Sequence, residues 1–342
     1  MLGCVHTDCR KGKRMPAITP EPILRIATGF MAAKHLFAAS EIGLFEALTS
    51  GPASLEELAG KTAVPARTLG IVAAAMVSLG LIDQEGGCYR NGEMAATFLA
   101  GKPGHDLRPV LRFFNSIGYP LWERFADAVR SGEGQAQFGK FDREQQQIFS
   151  AGVEALTAPV AASLAAAYDF SGHKRLLDVG GGTGSFLLAV LRRYPALRGT
   201  LFELPGACAV ARQRLSAEPE GTRIEIVEGD IFRTPLPADH DVLLVANTVH
   251  VLSAPHNLEL MRKMRATVQR GVRLLLVDFW MNPTHTEPPG AALMSGEFLV
   301  MAGEGQAYSE QEADNWLGQT RWRKRERMPL AAMSSVIVAE AD

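Results

Sequence analysis

The chain of 342 residues has little of what several classes of protein require. Its four cysteines are scattered, which fits a reducing compartment and excludes a disulfide framework. Its formal net charge is -2, and both signs are spread along the chain, so no basic block is available to bind a nucleic-acid backbone. No apolar run of the sequence reaches the length needed to cross a membrane. We therefore expect a cytoplasmic protein.

The first fourteen residues are polar and basic, and they lack the apolar segment of a secretory signal. We expect a disordered tail over residues 1–16, with Met15 as an alternative start of the chain. Cys4, His6 and Cys9 lie in this tail. No second pair of ligands follows them, so we predict no metal site.

The sequence is organised around the stretch Lys174–Leu187, which reads KRLLDVGGGTGSFL. Its first part predicts a short buried strand that ends at Asp178. Three glycines follow at every second position: Gly180, Gly182 and Gly184. They predict a turn where the backbone runs close to a ligand, and apolar residues at helical spacing predict a helix from Ser185. Strand, turn and helix together indicate a nucleotide-binding element. Asp178 adds negative charge, which suits a cationic ligand better than a diphosphate.

The segment Asp178–Gly184 resembles the first motif of S-adenosylmethionine-dependent methyltransferases. The chain from about Pro20 to the C-terminus resembles, in particular, the plant-type and bacterial small-molecule O-methyltransferases. The resemblance implies an N-terminal, all-helical, winged-helix-like dimerisation domain. An α/β, Rossmann-like class I methyltransferase domain should come after it, with a doubly wound seven-stranded sheet that ends in an antiparallel hairpin. The resemblance also implies S-adenosylmethionine as cofactor, S-adenosylhomocysteine as product, and a homodimer.

The length of the chain and its hydrophobic content are sufficient for two domains, each with its own core. We expect the winged-helix-like dimerisation domain over residues 17–102. A helical linker over 103–170 should contribute to the acceptor pocket. The cofactor-binding methyltransferase domain should occupy 171–342.

Residues 54–90 predict a capping box, a helix, a turn, a second helix and a hairpin, which is the order of a DNA-binding winged helix. The second helix, from about Ala66 to Leu79, would be the recognition helix. Apart from Arg67 it offers almost nothing to pair with phosphates or base edges. It is apolar nearly all round, and the amphipathic helix that begins at Pro22 also suits burial against protein. We predict a dimer interface and no nucleic-acid partner.

Two further acids are predicted to bind the nucleotide part of the cofactor. Glu203 ends a second predicted strand, where an acid in a doubly wound fold binds ribose hydroxyls. The family has Asp in the matching Phe-Asp-Leu-Pro motif, and Glu keeps the carboxylate. Asp230 is placed for the adenine amino group, with apolar cover after it. The predicted cofactor-binding residues are Asp178, Gly180, Gly182, Gly184, Glu203, Leu204, Gly229, Asp230, Ile231, Phe232 and Asn247.

The candidate catalytic residues follow two predicted strands. His250 comes after the fourth strand, and Asp278 ends the fifth. These strands should be parallel neighbours with the ligand outside their carboxyl ends, so we expect the two side chains to meet near it. His250 also matches the family's general-base histidine. The resemblance implies that His250 removes the acceptor's hydroxyl proton and that Asp278 orients its ring. His256, at a predicted helix start, is expected to face solvent.

The sequence departs from the family at two places. Val251 and Leu252 follow the histidine, where plant members have Asp-Trp. Ala307 matches the position of a second acid that flanks the histidine in those members, and Glu297 and Glu304, which lie nearby in the sequence, are the candidates to replace it. These departures leave methyl transfer as the prediction but weaken the case for a caffeate-like phenol as acceptor.

Aromatic residues concentrate between residues 103 and 169, where we predict helices over 107–117, 120–130 and 143–168, with a glycine-rich break over 132–139. These residues are either core or the wall of a pocket for a flat acceptor, and a Met/Phe stripe near residue 298 has the same two readings. The predicted acceptor-pocket residues are Phe114, Phe149, Val153, Met294 and Phe298.

These observations favour an S-adenosylmethionine-dependent O-methyltransferase that acts on a hydroxyl of a small, aromatic or secondary-metabolite acceptor. The first alternative keeps the fold and cofactor but methylates nitrogen or carbon, or does not methylate, because fold does not fix function. A ligand-sensing winged-helix regulator is disfavoured by the apolar second helix. A nicotinamide-dependent oxidoreductase is disfavoured by Asp178.

Overall fold

The structure is a computed structural model that describes residues 18–136 and 141–342. The chain divides into two compact units, with the boundary after Gly92. The predicted tail over 1–16, with the cysteines and histidine considered as metal ligands, lies outside the described residues. So does the last part of the predicted break over 132–139.

The first unit combines helices with a small antiparallel sheet of order β1-β3-β2. Its elements are α1 (Glu21–Ala27), α2 (Gly29–Glu41), α3 (Leu44–Ala47), β1 (Ala53–Ser54), α4 (Leu55–Thr62), α5 (Ala66–Ser78), β2 (Ile82–Glu85) and β3 (Cys88–Asn91). The predicted capping box opens α4, because Ser54 Oγ accepts from Glu57 N and the Glu57 carboxylate accepts from Ser54 N. The order of helices and hairpin is that of a winged helix.

The single amphipathic helix predicted from Pro22 is interrupted at Thr28, between α1 and α2. The Thr28 hydroxyl donates to the carbonyl of Leu24, a local bond that competes with the regular helix ladder. Several apolar side chains of α1 and α2 are exposed in the described chain, among them Ile26 at 82% and Phe30 at 50%.

The second unit begins with helices, which are α6 (Glu93–Phe98), α7 (Arg108–Phe113), α8 (Tyr119–Trp122), α9 (Phe125–Ser131) and α10 (Arg143–Ala167). A π-helical turn over Phe114–Gly118 joins α7 directly to α8. The predicted helix over 107–117 therefore continues beyond its expected end, and the predicted helix over 120–130 is split between α8 and α9. Sequence periodicity has no signal for the extra residue that a π-turn inserts.

The sheet of the second unit has seven strands in the order β6-β5-β4-β7-β8-β10-β9. Its elements are β4 (Arg175–Val179), α11 (Ser185–Arg193), β5 (Arg198–Glu203), α12 (Pro205–Leu215), β6 (Ile224–Glu228), β7 (Val242–Ala246), α13 (Ala254–Ala266), β8 (Arg273–Asp278), α14 (Pro289–Ala302), α15 (Glu310–Gln319), β9 (Trp322–Pro329) and β10 (Ser335–Ala341). The first five strands in this order are parallel, and β10 runs antiparallel to both β8 and β9. The predicted doubly wound sheet with a terminal hairpin is confirmed.

Both faces of this sheet are buried, as expected for a parallel sheet covered by helices. Alternate residues of β7 belong to different cores: Leu243 and Val245 pack in one, and Val242 and Leu244 in the other. The chain order reverses between β4 and β7. Ligands of doubly wound folds bind at such a switch point, outside the carboxyl ends of the strands.

The helix α10 is long and apolar enough, by length and composition, to cross a membrane, contrary to the expectation that no run reaches that length. This is weak evidence, because the core helix of a soluble protein passes the same test. Ile148, Val160 and Leu164 of α10 are buried, and the helix packs against α7 and α11.

Candidate functional site

The predicted glycine turn lies between β4 and α11, at the switch point of the sheet. Gly180, Gly182 and Gly184 all have positive φ, at 72°, 58° and 84°, a region that other residues seldom adopt. Between them, a Cβ at Gly181 would collide with the carboxyl group of Asp178. The turn therefore lies directly on Asp178, and only glycine permits this approach.

Asp178 is fully buried beneath the turn, and neither of its carboxyl oxygens has a hydrogen-bond partner in the described part of the chain. Burial, with a smaller contribution from the charge of Glu203, raises the pKa of Asp178 to about 8. The sequence interpretation assigned this residue a negative charge. In the protein without cofactor, desolvation favours the neutral form of this carboxyl group.

Glu203, at the end of β5, holds the glycine turn. Its Oε2 accepts a hydrogen bond from Gly182 N at 3.0 Å, and its Oε1 accepts from Leu204 N at 2.6 Å. The backbone N–H of Gly229, just after β6, donates to the Glu203 carbonyl at 2.9 Å. The ends of three neighbouring strands are thus joined through one residue, Glu203, by its carboxylate on the side of β4 and by its main-chain carbonyl on the side of β6.

Asp230 caps the turn that follows β6. Its Oδ1 accepts from the backbone N–H groups of Phe232 at 2.7 Å and Arg233 at 3.2 Å, and these bonds lower the pKa of Asp230. The Phe232 ring lies 4.8 Å from the ring of His256, centroid to centroid. Ile231 is partly buried against the core of the sheet.

The glycine turn forms one wall of a cleft, and α10 forms another. The lining includes Gln146, Phe149, Ser150, Val153, Glu154, Thr157, Gly180, Gly181, Gly182, Thr183, Ser185, Phe186, Ala207, Val210, Ala246 and Asn247. Asn247 has a φ of 54°, and its Oδ1 is buried without a hydrogen-bond partner among the described residues. Two predicted acceptor-pocket residues, Phe149 and Val153, line this cleft beside the predicted cofactor residues.

His250 and Asp278 meet at the ends of β7 and β8, as the topology predicts. His250 Nδ1 lies 2.7 Å from Asp278 Oδ1, and His250 N donates to Asp278 Oδ2 at 3.2 Å. Phe279 N donates to Oδ1 at 2.8 Å, so both carboxylate oxygens are engaged. The two side chains are buried, with residue exposures of 8% for His250 and 1% for Asp278. Nε2 is the ring nitrogen that Asp278 leaves available.

An aromatic ring covers His250, and the predicted acceptor-pocket residues are distributed around it and further away. The Phe298 ring stacks on the His250 ring with a centroid distance of 3.8 Å and an interplanar angle of 14°. Met294 packs in the same small cluster as Phe298, on α14. Phe114 lies in a second cluster, 5.1 Å from Phe113. The predicted acceptor-pocket residues are therefore shared among the cleft wall, the ring over His250 and the aromatic cluster of the linker helices.

Comparison with known proteins identifies the fold and the cofactor. Residues 122–323 match the model of the O-methyltransferase domain family, and residues 24–101 match that of the O-methyltransferase dimerisation domain. The chain belongs to this O-methyltransferase family. It is an S-adenosylmethionine-dependent methyltransferase with a helical dimerisation domain and a Rossmann-like catalytic domain.

Several relatives have names that state a small-molecule methyl acceptor. The 3-hydroxy-5-methyl-1-naphthoate 3-O-methyltransferase of Streptomyces sahachiroi is 33% identical, over 87% of this chain and 88% of that protein. A phenazine O-methyltransferase of Lysobacter antibioticus is 30% identical, over 82% and 84%. The solved structure of human N-acetylserotonin methyltransferase with S-adenosylmethionine is 25% identical, with a TM-score of 0.85 over 95% of this chain and 99% of that one.

The residues at the switch point fit S-adenosylmethionine in chemical type. The glycine turn has no side chains that would keep a ligand away from its backbone. Glu203 offers carboxylate lone pairs of the kind that ribose hydroxyls need. The free Oδ1 of Asn247 and the buried carboxyl of Asp178 are polar atoms that a ligand can satisfy. No group of three or more His, Cys, Asp or Glu side chains within residues 18–136 and 141–342 is arranged to hold a metal ion.

Ala307, which the sequence resemblance places at the position of the family's second acid, is fully buried in the cluster of Met294 and Phe298. Neither candidate replacement takes its place. Glu304 pairs with His256, 3.0 Å from its Nδ1, and Glu297 accepts a hydrogen bond from the indole Nε1 of Trp122. His256, expected to face solvent, is partly exposed and carries this surface ion pair.

Sequence reasoning missed one ionic contact at the cleft. Arg214 of α12 pairs with Glu154 of α10, and its Nη1 also donates to Ser185 Oγ at 2.7 Å and to Thr183 Oγ1 at 2.8 Å. Arg214 thus ties α10 to the start of α11. Nothing in the spacing of these residues along the chain indicates the contact, because it depends on how two helices pack.

Proposed function

We propose that this enzyme methylates a hydroxyl group of a small aromatic acceptor of the secondary-metabolite type, with His250 as general base and Asp278 as the residue that orients it. Bound S-adenosylmethionine supplies an activated methyl group on its sulfonium. The observation that carries the proposal is the buried 2.7 Å contact between His250 Nδ1 and Asp278 Oδ1.

The proposal gives each ring nitrogen of His250 a role. A carboxylate oxygen can only accept a hydrogen bond, so Nδ1 carries the proton and Nε2 has the lone pair. That lone pair is available to take the proton of an acceptor hydroxyl. Asp278 stabilises the imidazolium that results, and Phe298 restricts the ring plane by stacking on it.

The remaining parts of the proposal concern assembly and organisation. Residues 17–102 form the dimer contact of a cytoplasmic homodimer, 103–170 contribute to the acceptor pocket, and 171–342 bind the cofactor. Asp178, the glycine turn, Glu203, Asp230 and their neighbours contact the nucleotide and the methionine part. The names of the relatives support an aromatic acceptor, and the aromatic residues near His250 suit a flat ring.

The test is turnover of the His250→Ala variant on a phenolic acceptor. We expect a loss of about a hundredfold or more, because general bases contribute typically 10²–10⁴. S-adenosylmethionine affinity should stay nearly unchanged. Asp278→Asn should also slow turnover, since it keeps the shape of the side chain and removes its charge. The S-adenosylmethionine affinity of each variant can be measured by calorimetry alongside its turnover rate.

An acceptor whose hydroxyl is already ionised at the assay pH provides the internal control. Such a phenol needs no base, so His250→Ala should lose much less activity on it than on an ordinary phenol. Near-full activity of His250→Ala on every acceptor would contradict the proposal. The enzyme would then act by proximity, as expected for an amine acceptor.

A further inference from the structure

The helix α14 is apolar apart from one charged side chain, Glu297. The residue is buried, with 6% of its surface exposed. Trp122 Nε1 donates to its Oε2, while its Oε1 has no hydrogen-bond partner among the residues that the structure describes. Burial raises the pKa of the carboxyl group, and the bond from Trp122 opposes the rise. An unsatisfied buried carboxyl oxygen is costly, so its presence requires a reason.

Anchoring of α14 to α8 does not supply that reason, because the bond to Trp122 uses only one of the two oxygens. The free oxygen lies against the π-helical turn and not against a polar partner of the described chain. Gly118, the last residue of the π-helical turn, lies beside it, and a Cβ at Gly118 would be 3.5 Å from Oε1 and 3.3 Å from the Phe114 ring. Gly118 thus has no side chain that covers this oxygen, and π-turns occur frequently at functional sites.

Glu297 directly precedes Phe298, the residue of α14 whose ring stacks on His250. Residues three and four apart share a helix face, so Glu297 lies on the same face as Met294 and Met301, next to Phe298. Phe298 covers the ring of His250. On the other side, Met301 packs with Phe113 and Ile117 of the linker helices. Glu297 thus stands between the ring that covers His250 and the aromatic cluster of the linker.

We propose that Glu297 determines acceptor specificity: its free Oε1 accepts a hydrogen bond from an N–H or second O–H group that the aromatic acceptor carries away from the hydroxyl to be methylated. This inference rests on the proposed function. It assigns the acceptor to the amino- or polyhydroxyarenes rather than to bare phenols. A site with a buried polar group rejects an analogue that leaves the group unpaired, and this rejection is stronger than that of an analogue lacking a methylene.

The experiment compares matched acceptors on the protein saturated with S-adenosylhomocysteine. The probes are 2-naphthol and its amino- and hydroxy-substituted isomers, and their affinities are measured by calorimetry. At least one donor-bearing isomer should bind about ten- to a hundredfold more tightly than 2-naphthol, the range of a hydrogen bond to a charged group. The same order should appear in kcat/KM when S-adenosylmethionine replaces its product.

Two variants assign that preference to Glu297. Glu297→Met should abolish this preference, because it weakens binding of the donor-bearing acceptor and leaves binding of 2-naphthol unchanged. Glu297→Gln keeps the size of the side chain and a carbonyl that can accept from Trp122, so it should fold normally and keep only part of the preference. Glu304→Gln, a nearby exposed carboxylate, is the matched control and should leave the preference unchanged. Melting temperatures report whether each variant is folded.

The outcomes separate this inference from the proposed function. A wild-type protein that shows no preference for any donor-bearing isomer overturns the role of Glu297, and so does a preference that persists in both Glu297 variants. Tighter binding of isomers that carry only a carbonyl would also overturn it, because Glu297 would then act as a protonated donor. A preference lost in Glu297→Met supports the inference even if His250→Ala retains full turnover, in which case only the general-base mechanism fails.

Discussion

Replacing Asp178 with asparagine should flatten the pH dependence of stability of the protein without cofactor. The carboxyl group is fully buried, and its pKa is raised from 3.8 to about 8. Below about pH 4 it is protonated in both the folded and the unfolded chain. Between about pH 4 and pH 8 the unfolded chain loses this proton and the folded chain keeps it, so the free energy of unfolding falls as pH rises. Above about pH 8 both states are ionised and the loss is complete.

The size of the effect follows from linkage. Each pH unit within that window costs about 1.4 kcal/mol, so between pH 5 and pH 7 the wild-type protein should lose about 3 kcal/mol through Asp178. The Asp178→Asn variant should not lose this amount. A change of 1 kcal/mol shifts the melting temperature of a unit of this size by about 2–4 °C. The difference in melting temperature between wild type and variant should therefore change by about 6–12 °C between the two pH values.

Differential scanning calorimetry at pH 5, 6 and 7 without S-adenosylmethionine makes the measurement. The asparagine amide has its own unsatisfied N–H groups, but their cost does not depend on pH. The informative quantity is therefore how the difference in melting temperature between wild type and variant changes with pH. Asp127→Asn, at an exposed residue of α9 paired with Arg130, is the control and should keep the wild-type pH dependence. A difference that stays constant from pH 5 to pH 7 would refute the reasoning, because Asp178 would then be ionised in the folded protein.

Two further predictions concern the cofactor and the assembly. Glu203→Ala should weaken S-adenosylmethionine binding by about 1–3 kcal/mol in calorimetry, because it removes the lone pairs for the ribose and the partner of Gly182 N. Glu228→Ala, one strand away and partly exposed, should bind normally; unchanged affinity of Glu203→Ala, or tight NAD binding by the wild type, would contradict the assignment. Ile26→Asp should convert a dimer into a monomer in light scattering, because this exposed side chain lies on the apolar surface of α1. Met333→Asp should leave the dimer intact, and a wild-type monomer would show that the surface has another role.

Local patterns predicted the part of the site that depends on short stretches of chain. The strand, glycine turn and helix around Gly180 follow from hydrophobic runs and glycine spacing, and Glu203 follows from its place at the end of the next strand. The contact between His250 and Asp278 required one further rule, that parallel strands joined by a helix are neighbours. The hydrophobic periodicity around His250 and Asp278 did not contribute to predicting this contact.

The rest of the site depends on packing, which one-dimensional patterns do not contain. Trp122 and Glu297 are separated by 175 positions and meet only because α8 packs on α14. Arg214 and Glu154 meet for the same kind of reason. Burial raises the pKa of Asp178, and the sequence alone does not predict this shift because it depends on how deeply the turn covers the carboxyl group.

The carboxylate of Glu203 has a consequence for the cost of binding. Because it already holds the N–H groups of Gly182 and Leu204, the turn is preorganised, and binding of the nucleotide need not order it. A carboxylate has about four lone-pair sites, so ribose hydroxyls can add to these bonds without replacing them. The turn should therefore keep one conformation while product leaves and new cofactor enters. The affinities for S-adenosylmethionine and S-adenosylhomocysteine then depend on the contacts that each makes, because neither has to order the turn when it binds.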